Sequence, residues 1–401
     1  MPPNRKRRLL WPLIVFATAL VAFGLGLWAR DYCSAAQLLL QIENDNHSRI
    51  GQFGALPVEE SEVSLPGPYG PIRCRIYQPR NVKSPPVLLL VHGVHRLGID
   101  EPRLVRFARA FAQRGVRVIT PEIRDLMEYR ITPQSIIEIG AMAQAWASRS
   151  GKQVGMMGIS FAGSLVLLAA ANPRYAPAID SVICVGAYDD LARVARFFVT
   201  ERVQLPDGSE RSQPAEQYGV LVLAYDHPED IFAAPDVDAA RETLRLWLAE
   251  QYDAARALEL KLSPSGKAVM EALLHYQLAP IRKSLLGEIE KHTDEMAAVS
   301  PAGKLNTLRA HVFLLHGTDD AVIPSSETFW LEHEIPRRDL ECALVTPAVE
   351  HVDPEAQIKP RDQWHLVSFM ASALRELEGE PPAAVESRVV PSTLGSSSSS
   401  R

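Results

Sequence analysis

The run Gln153-Val154-Gly155-Met156-Met157-Gly158-Ile159-Ser160-Phe161-Ala162-Gly163-Ser164-Leu165-Val166-Leu167-Leu168-Ala169-Ala170-Ala171 decides how the rest of the chain is read. Val154 to Met157 has the character of a short buried strand. Ser164 to Ala171 is rich in helix formers and stops at Asn172-Pro173. Between them a serine stands at a sharp strand-to-helix turn, the geometry that presents a nucleophile. Such a turn strains the backbone and tolerates only small neighbours. Gly158 meets that need on one side; on the other stands Ala162, with Gly163 next. A helix starting here also aims free N–H groups and its positive end at the serine, favouring an oxyanion beside it.

Outward from this run, strands alternate with helices. Pro86 to Val91 is a continuous apolar strand closed by His92-Gly93-Val94-His95, and Pro102 to Arg114 has helical spacing closed by Gly115. Val116 to Pro121 is another strand, Ser135 to Arg149 another helix, and Ile179 to Gly186 the strand after the serine turn. Apolar strands interleaved with helices predict an α/β fold, a mostly parallel sheet covered on both faces. Ahead of it, Glu62 to Leu65 and Ile72 to Tyr77 flank Pro66-Gly67-Pro68-Tyr69-Gly70-Pro71 and predict an antiparallel hairpin with a long turn.

From about residue 190 to 299 the pattern changes to helices, over Arg241 to Leu260 and Lys267 to Gln277, with no clear strand. This predicts a helical cap over the carboxyl ends of the strands. The alternation resumes at His311 to Leu315 and Leu340 to Val345 and ends in a helix from Asp362 to Glu378. The core therefore comprises residues 59–189 and 300–378, and residues 379–401, rich in proline and serine, read as a disordered tail.

The N-terminus carries a basic cluster in residues 1–8, Arg5-Lys6-Arg7-Arg8, before an apolar run from Leu9 to Ala29. As a helix that run spans roughly 30 Å, one bilayer core. A cleaved signal peptide has a shorter apolar region and a small-residue cleavage site, which Trp28-Ala29-Arg30-Asp31-Tyr32 does not offer. The run is therefore predicted to be an uncleaved transmembrane signal anchor with its N-terminus cytoplasmic and everything after it periplasmic or extracellular. Residues 30–58 would form a juxtamembrane stalk, with a short helix between Asp31 and Ile50 that either belongs to the stalk or packs on the main domain.

A net charge of -6 over 401 residues gives no reason to expect a nucleic-acid partner. Cys33, Cys74, Cys184 and Cys342 are widely spaced and suggest neither a zinc site nor a disulfide framework. The last three fall in strand-like runs, as small buried hydrophobes do.

A serine hydroxyl is a weak nucleophile until a base takes its proton, and a carboxylate must orient that base. Both belong on loops after later strands. His316-Gly317-Thr318-Asp319-Asp320-Ala321-Val322-Ile323-Pro324 follows one such strand, and Val349-Glu350-His351-Val352-Asp353 the next. Together with His92-Gly93 and the serine turn, these motifs resemble the α/β-hydrolase superfamily, in its serine-nucleophile, esterase- and lipase-like branch. The resemblance covers roughly Glu59 to Leu377 without the insertion. It implies a triad of Ser160, Asp320 and His351, and an oxyanion hole made by the backbone N–H groups of Val94 and Phe161. Asp319 stays open as the acid, as do Asp189 and Asp190, where some relatives carry it. A serine at this position excludes the dehalogenase branch.

The activity implied is cleavage of a small-molecule ester or related acyl substrate through an acyl-enzyme, at a protein held to the membrane by its N-terminal helix. An acyltransferase with the same triad and a non-catalytic binding protein of the same fold are the alternatives. Leu244, Leu246, Trp247, Leu248 and Tyr252 would either line a hydrophobic substrate channel or pack the cap on the core. His92 and His316 suit hydrogen bonds within turns, and His95 lines the site. His275 and His292 suit surface or core positions rather than ligand roles, and Lys283, Glu288, Glu290 and Lys291 a solvated helix face. With no metal cluster, phosphate loop or dinucleotide fingerprint, neither a metal nor a cofactor is expected.

Overall fold

The computed structural model of the chain describes residue 26 and residues 29–43, 49–349 and 359–379. Residues 1–25, which hold most of the apolar N-terminal run, lie outside it, as do the segment 350–358 with His351 and the C-terminal residues from 380. Among the described residues no helix is long and apolar enough to cross a membrane.

An eight-stranded sheet forms the centre, in the order β1-β2-β4-β3-β5-β6-β9-β10. β1 (Val58–Gly67) and β2 (Gly70–Pro79) form an antiparallel hairpin, and β2 lies antiparallel to β4 (Arg117–Pro121). The rest are parallel: β3 (Val87–Val91), β5 (Val154–Ile159), β6 (Ile179–Val185), β9 (His311–Gly317) and β10 (Leu340–Thr346). Successive residues of these strands enter opposite cores. Leu89, Val91, Met156, Val182 and Val312 belong to one, while Leu88, Leu90, Met157, Ile183 and Phe313 belong to the other. That is the two-residue period of a strand buried on both sides, and it explains the uninterrupted apolar runs.

Helices α4 (Pro133–Ser150) and α5 (Phe161–Ala171) cover the first face; α2 (Pro102–Gln113) and the last helix, Pro360–Leu377, cover the second. All eleven residues of α5 are buried, which is why its sequence is apolar on every side. α2 connects β3 to β4 on one side of β3, and α4 returns the chain to β5 on the other. The order of strands thus reverses at β3 and β5, and open α/β sheets bind ligands outside the carboxyl ends of the strands at such a switch point.

The helix over residues 29–43, α1, does not stand off as a free stalk. Ala35 and Leu38 are fully buried in the second core, Asp31 pairs with Arg375 at 2.7 Å, and Tyr32 stacks on Trp364 with ring centroids 4.9 Å apart. The hairpin turn is also tighter than its six-residue composition suggested. Pairing runs to Gly67 opposite Gly70, so only Pro68 and Tyr69 connect the strands.

The insertion is mainly helical, as its sequence predicts, with three corrections. A small antiparallel pair, β7 (Arg202–Gln204) and β8 (Glu210–Ser212), flanks the turn at Pro206-Asp207-Gly208, where strands too short for an alternation signal are held by the turn. The helix expected over Arg241 to Leu260 is two, α8 (Val237–Leu248) and α9 (Tyr252–Glu259), because Glu250 takes a left-handed φ of 59° and Gln251 N–H turns back to the Leu246 carbonyl. Glu288 does not belong to a solvated face: it is 1% exposed, beneath the cap's other acids. Leu244 and Leu248 are buried in the first core, so the packing role applies to both, whereas Tyr252 is 43% exposed.

Candidate active site

Ser160 is placed by the collision of two elements that cannot bend gradually. β5 ends at Ile159 and α5 begins at Phe161, leaving one residue to make the turn. That residue has φ 57° and ψ -134°, a region that side chains other than glycine rarely enter. Ser160 N–H donates to the Val185 carbonyl at 2.7 Å, and Gly163 N–H to the Ser160 carbonyl at 2.8 Å. The tight approach falls on two glycines. A Cβ at Gly158 would strike the Ala162 carbonyl and lie 2.7 Å from Gly163 Cα, while a Cβ at Gly163 would lie 2.8 Å from Ala187 Cβ. The turn therefore needs glycine at 158 and 163, and Ala162 fits without one.

The loop after β3 lies against the serine. A Cβ on Gly93 would come 3.5 Å from Ser160 Cβ and 3.3 Å from the Ile159 carbonyl. His92 pins this loop: Nδ1–H donates to the Gly93 carbonyl at 2.7 Å and Nε2 accepts from Ile123 N–H at 3.1 Å. Burial pushes the His92 imidazole down to about 4, so it remains neutral with its proton on Nδ1. Val94, next in the loop, is buried, and its carbonyl accepts from the Tyr218 hydroxyl of cap helix α7 (Gln217–Asp226) at 2.8 Å. Phe161, as first residue of α5, has an N–H with no partner within the helix. His95 is half-buried, with burial lowering its affinity for a proton, and Nδ1 accepts from Leu97 N–H at 3.3 Å.

Asp320 reaches the same place from the loop after β9. Its Oδ1 accepts from Val322 N–H and Ile323 N–H, each at 2.9 Å, and its backbone carbonyl accepts from Gln213 Nε2 of the cap at 2.7 Å. Gly186 separates it from the serine: a Cβ there would lie 3.6 Å from Asp320 Oδ2 and 3.8 Å from Ser160 Cα. Fully buried His316 braces the loop, with Nε2–H donating to the Ile323 carbonyl at 2.8 Å and Nδ1 accepting from Thr328 Oγ1 at 2.7 Å.

Asp189 and Asp190, two of the other candidate acids, are engaged elsewhere. Asp189 is 2% exposed and pairs with Arg193 at 2.9 Å; burial raises its carboxyl to about 6 against the pull of that guanidinium. Asp190 caps α6 (Leu191–Thr200), accepting from Ala192 N–H and Arg193 N–H. The structure thus brings Ser160, the Gly93-Val94 loop and Asp320 to one sheet edge, while His351, five residues after β10 ends at Thr346, lies outside the described residues. Gln213 and Tyr218, which hold the site's loops from the cap, gave no sign in the sequence because neither belongs to a motif near those loops.

No model of a known protein family matches the chain, and no curated protein matches it. Among solved structures it is similar to 2,6-dihydroxy-pseudo-oxynicotine hydrolase, at 14% identity and a TM-score of 0.45 over 84% of this chain and 72% of that one. It is also similar to an esterase of Pyrobaculum calidifontis, at 15% identity and 0.43 over 87% and 92% of the two chains. A serine hydrolase from the polyaromatic-hydrocarbon-degrading bacterium Cycloclasticus zankles is similar at 11% identity and 0.44, over 80% of this chain and 99% of that one. The mostly parallel eight-stranded sheet flanked by helices, the strained serine between β5 and α5 and the carboxylate loop after β9 fit an α/β-hydrolase arrangement.

Proposed function

We propose that the chain is a membrane-anchored serine hydrolase that cleaves an ester or related acyl bond. The observation that carries this reading is the backbone of Ser160, a non-glycine residue held in a strained conformation at the switch point of the sheet. Ser160 Oγ attacks the substrate carbonyl while His351 takes its proton, and the backbone N–H groups of Val94 and Phe161 receive the oxyanion. His351 then returns the proton to the leaving group, and water, activated by the same imidazole, releases the acyl group. Asp320 orients the imidazole. Two amides holding its Oδ1 support that role, since they fix the carboxylate with Oδ2 on the Gly186 side. The apolar run from Leu9 to Ala29 anchors the protein, with the N-terminus cytoplasmic and the catalytic domain periplasmic or extracellular.

The test uses the full chain in detergent, a fluorophosphonate probe and a panel of short p-nitrophenyl esters. Ser160→Ala and His351→Ala are each expected to lose labelling and to lower kcat by at least about 10⁴-fold. A folded wild type that neither labels nor turns over would replace this reading with a binding protein. Ester rather than acid products on adding an alcohol acceptor would make the chain an acyltransferase.

A further inference from the structure

Away from the serine, the cap gathers charge that its own side chains do not balance. His227, at the end of α7, stacks on His292, which joins α11 (Arg282–Lys291) to α12 (Thr293–Ala298); the ring centroids are 3.4 Å apart and the planes 9° from parallel. Glu295 bridges the pair, with Oε2 3.4 Å from His227 Nε2 and Oε1 3.0 Å from His292 Nδ1. Asp226 Oδ2 lies 3.7 Å from His227 Nε2, and one donor atom from each of His227, His292 and Glu295 falls within 4.8 Å of the others. Two further acids nearby have their own cations: Asp230 pairs with Lys291 at 2.6 Å, besides His292 at 2.8 Å, and Glu229 pairs with Arg241 at 2.9 Å. Among the described residues, no lysine or arginine pairs with Asp226, Glu288 or Glu295.

Glu288 is the independent sign that a positive charge belongs here. It lies one helical turn before His292 and two before Glu295, on the same face. It is 1% exposed, and neither carboxylate oxygen has a hydrogen-bond partner. After burial itself, the charges that act on it most are those of the acids Asp226, Asp230 and Glu229, which outweigh the opposing pull of Lys291. A carboxylate taken from water without a partner is costly, and it is relieved either by taking up a proton or by a cation held nearby.

We propose that His227 Nε2, His292 Nδ1 and the Glu295 carboxylate, with Asp226 as a fourth donor, hold a divalent transition-metal ion that ties the end of α7 to the α11–α12 pair. Two imidazoles and one or two carboxylates are a donor set suited to zinc. Imidazole lone pairs lie in the ring planes, so binding tilts the two rings out of their stack and the site closes on its ion. The role is a clamp within the cap, separate from the Ser160 chemistry.

The experiment takes the full chain in detergent, strips it with chelator and titrates it with zinc and, separately, with cobalt as an absorbing substitute. Wild type is expected to bind one ion at micromolar zinc, to show the visible absorption of cobalt with nitrogen and oxygen ligands, and to unfold at higher temperature with zinc present. Glu295→Gln, at a largely exposed side chain that the fold does not need, and His227→Gln are each expected to weaken zinc binding by at least about tenfold. No binding by wild type overturns the proposal. So does binding that both folded variants retain in full, since the ion would then sit elsewhere.

Discussion

Glu327 and Glu288 are the two least exposed glutamates among the described residues, and they could hardly be treated more differently. Glu327, on α13 (Ser326–Glu334), is fully buried and has every need met. Arg193 reaches it with Nε at 2.7 Å and Nη2 at 2.9 Å, and the amides of Asp189 and Asp190 donate to Oε2 at 3.0 and 3.1 Å. Glu288, equally sheltered, has no partner on either oxygen and faces other acids. The first bolts the cap's opening helix to the sheet core; the second stores a cost of burial inside the cap. Burial alone does not set the energy of a carboxylate. What decides it is whether a countercharge and N–H donors arrive with it.

The largest effect should come from breaking the complete network. Glu327→Ala leaves the Arg193 guanidinium without its bidentate partner and two backbone amides without an acceptor. The expected loss is about 3–5 kcal/mol of stability, the range for removing one member of a buried pair, read by denaturant unfolding. Glu327→Gln should recover part of it, because it still accepts from the amides. A loss below about 1 kcal/mol for the alanine would mean that the bond between cap and core lies elsewhere.

Removing the unpartnered carboxyl should act in the opposite direction. The Glu288 carboxyl ionises near its usual 4.5 in the unfolded chain, but burial and the neighbouring acids push it up to about 9 in the fold. Between those values the folded state holds a proton that the unfolded state has released, so stability falls as pH rises through that window and is regained below it. Glu288→Gln should therefore stabilise the chelator-treated protein by about 2 kcal/mol at neutral pH and flatten this part of the pH profile. With zinc bound, the difference between wild type and variant should shrink. A variant equal to wild type with chelator present would show that Glu288 carries no stored cost.

The same contrast explains what the sequence could and could not tell. The elbow was legible because Gly158, Ser160 and Gly163 are neighbours in the chain and each answers to a local steric demand. Asp320 was legible because it follows an apolar strand by a fixed loop. The cap cluster was not, since His227 and His292 are 65 residues apart and Glu288 has a solvated neighbourhood in sequence, between charged Lys283 and Lys291. Periodicity reports which residues share a helix face; which other helix covers that face depends on tertiary packing. β7 and β8 escaped for a related reason, being three residues each and held by a turn rather than by a pattern of their own.

The smallest effect concerns a third kind of stored cost, in the backbone of Ser160 itself. Ser160→Gly and Ser160→Ala both delete the hydroxyl, so neither should turn over an ester. They differ in what φ 57°, ψ -134° costs, since that region is open to glycine and disfavoured for alanine. Glycine also raises the entropy of the unfolded chain, which offsets some of the gain. The net expectation is that the glycine variant is more stable than the alanine variant by about 1 kcal/mol, read from paired denaturant curves. Equal stability, or a more stable alanine variant, would mean that the turn relaxes once the hydroxyl is gone. The strain would then belong to the side chain's hydrogen bonding, and the elbow would resemble Glu288 less than its backbone angles indicate: a cost removed by local adjustment rather than one fixed by the packing of β5 against α5.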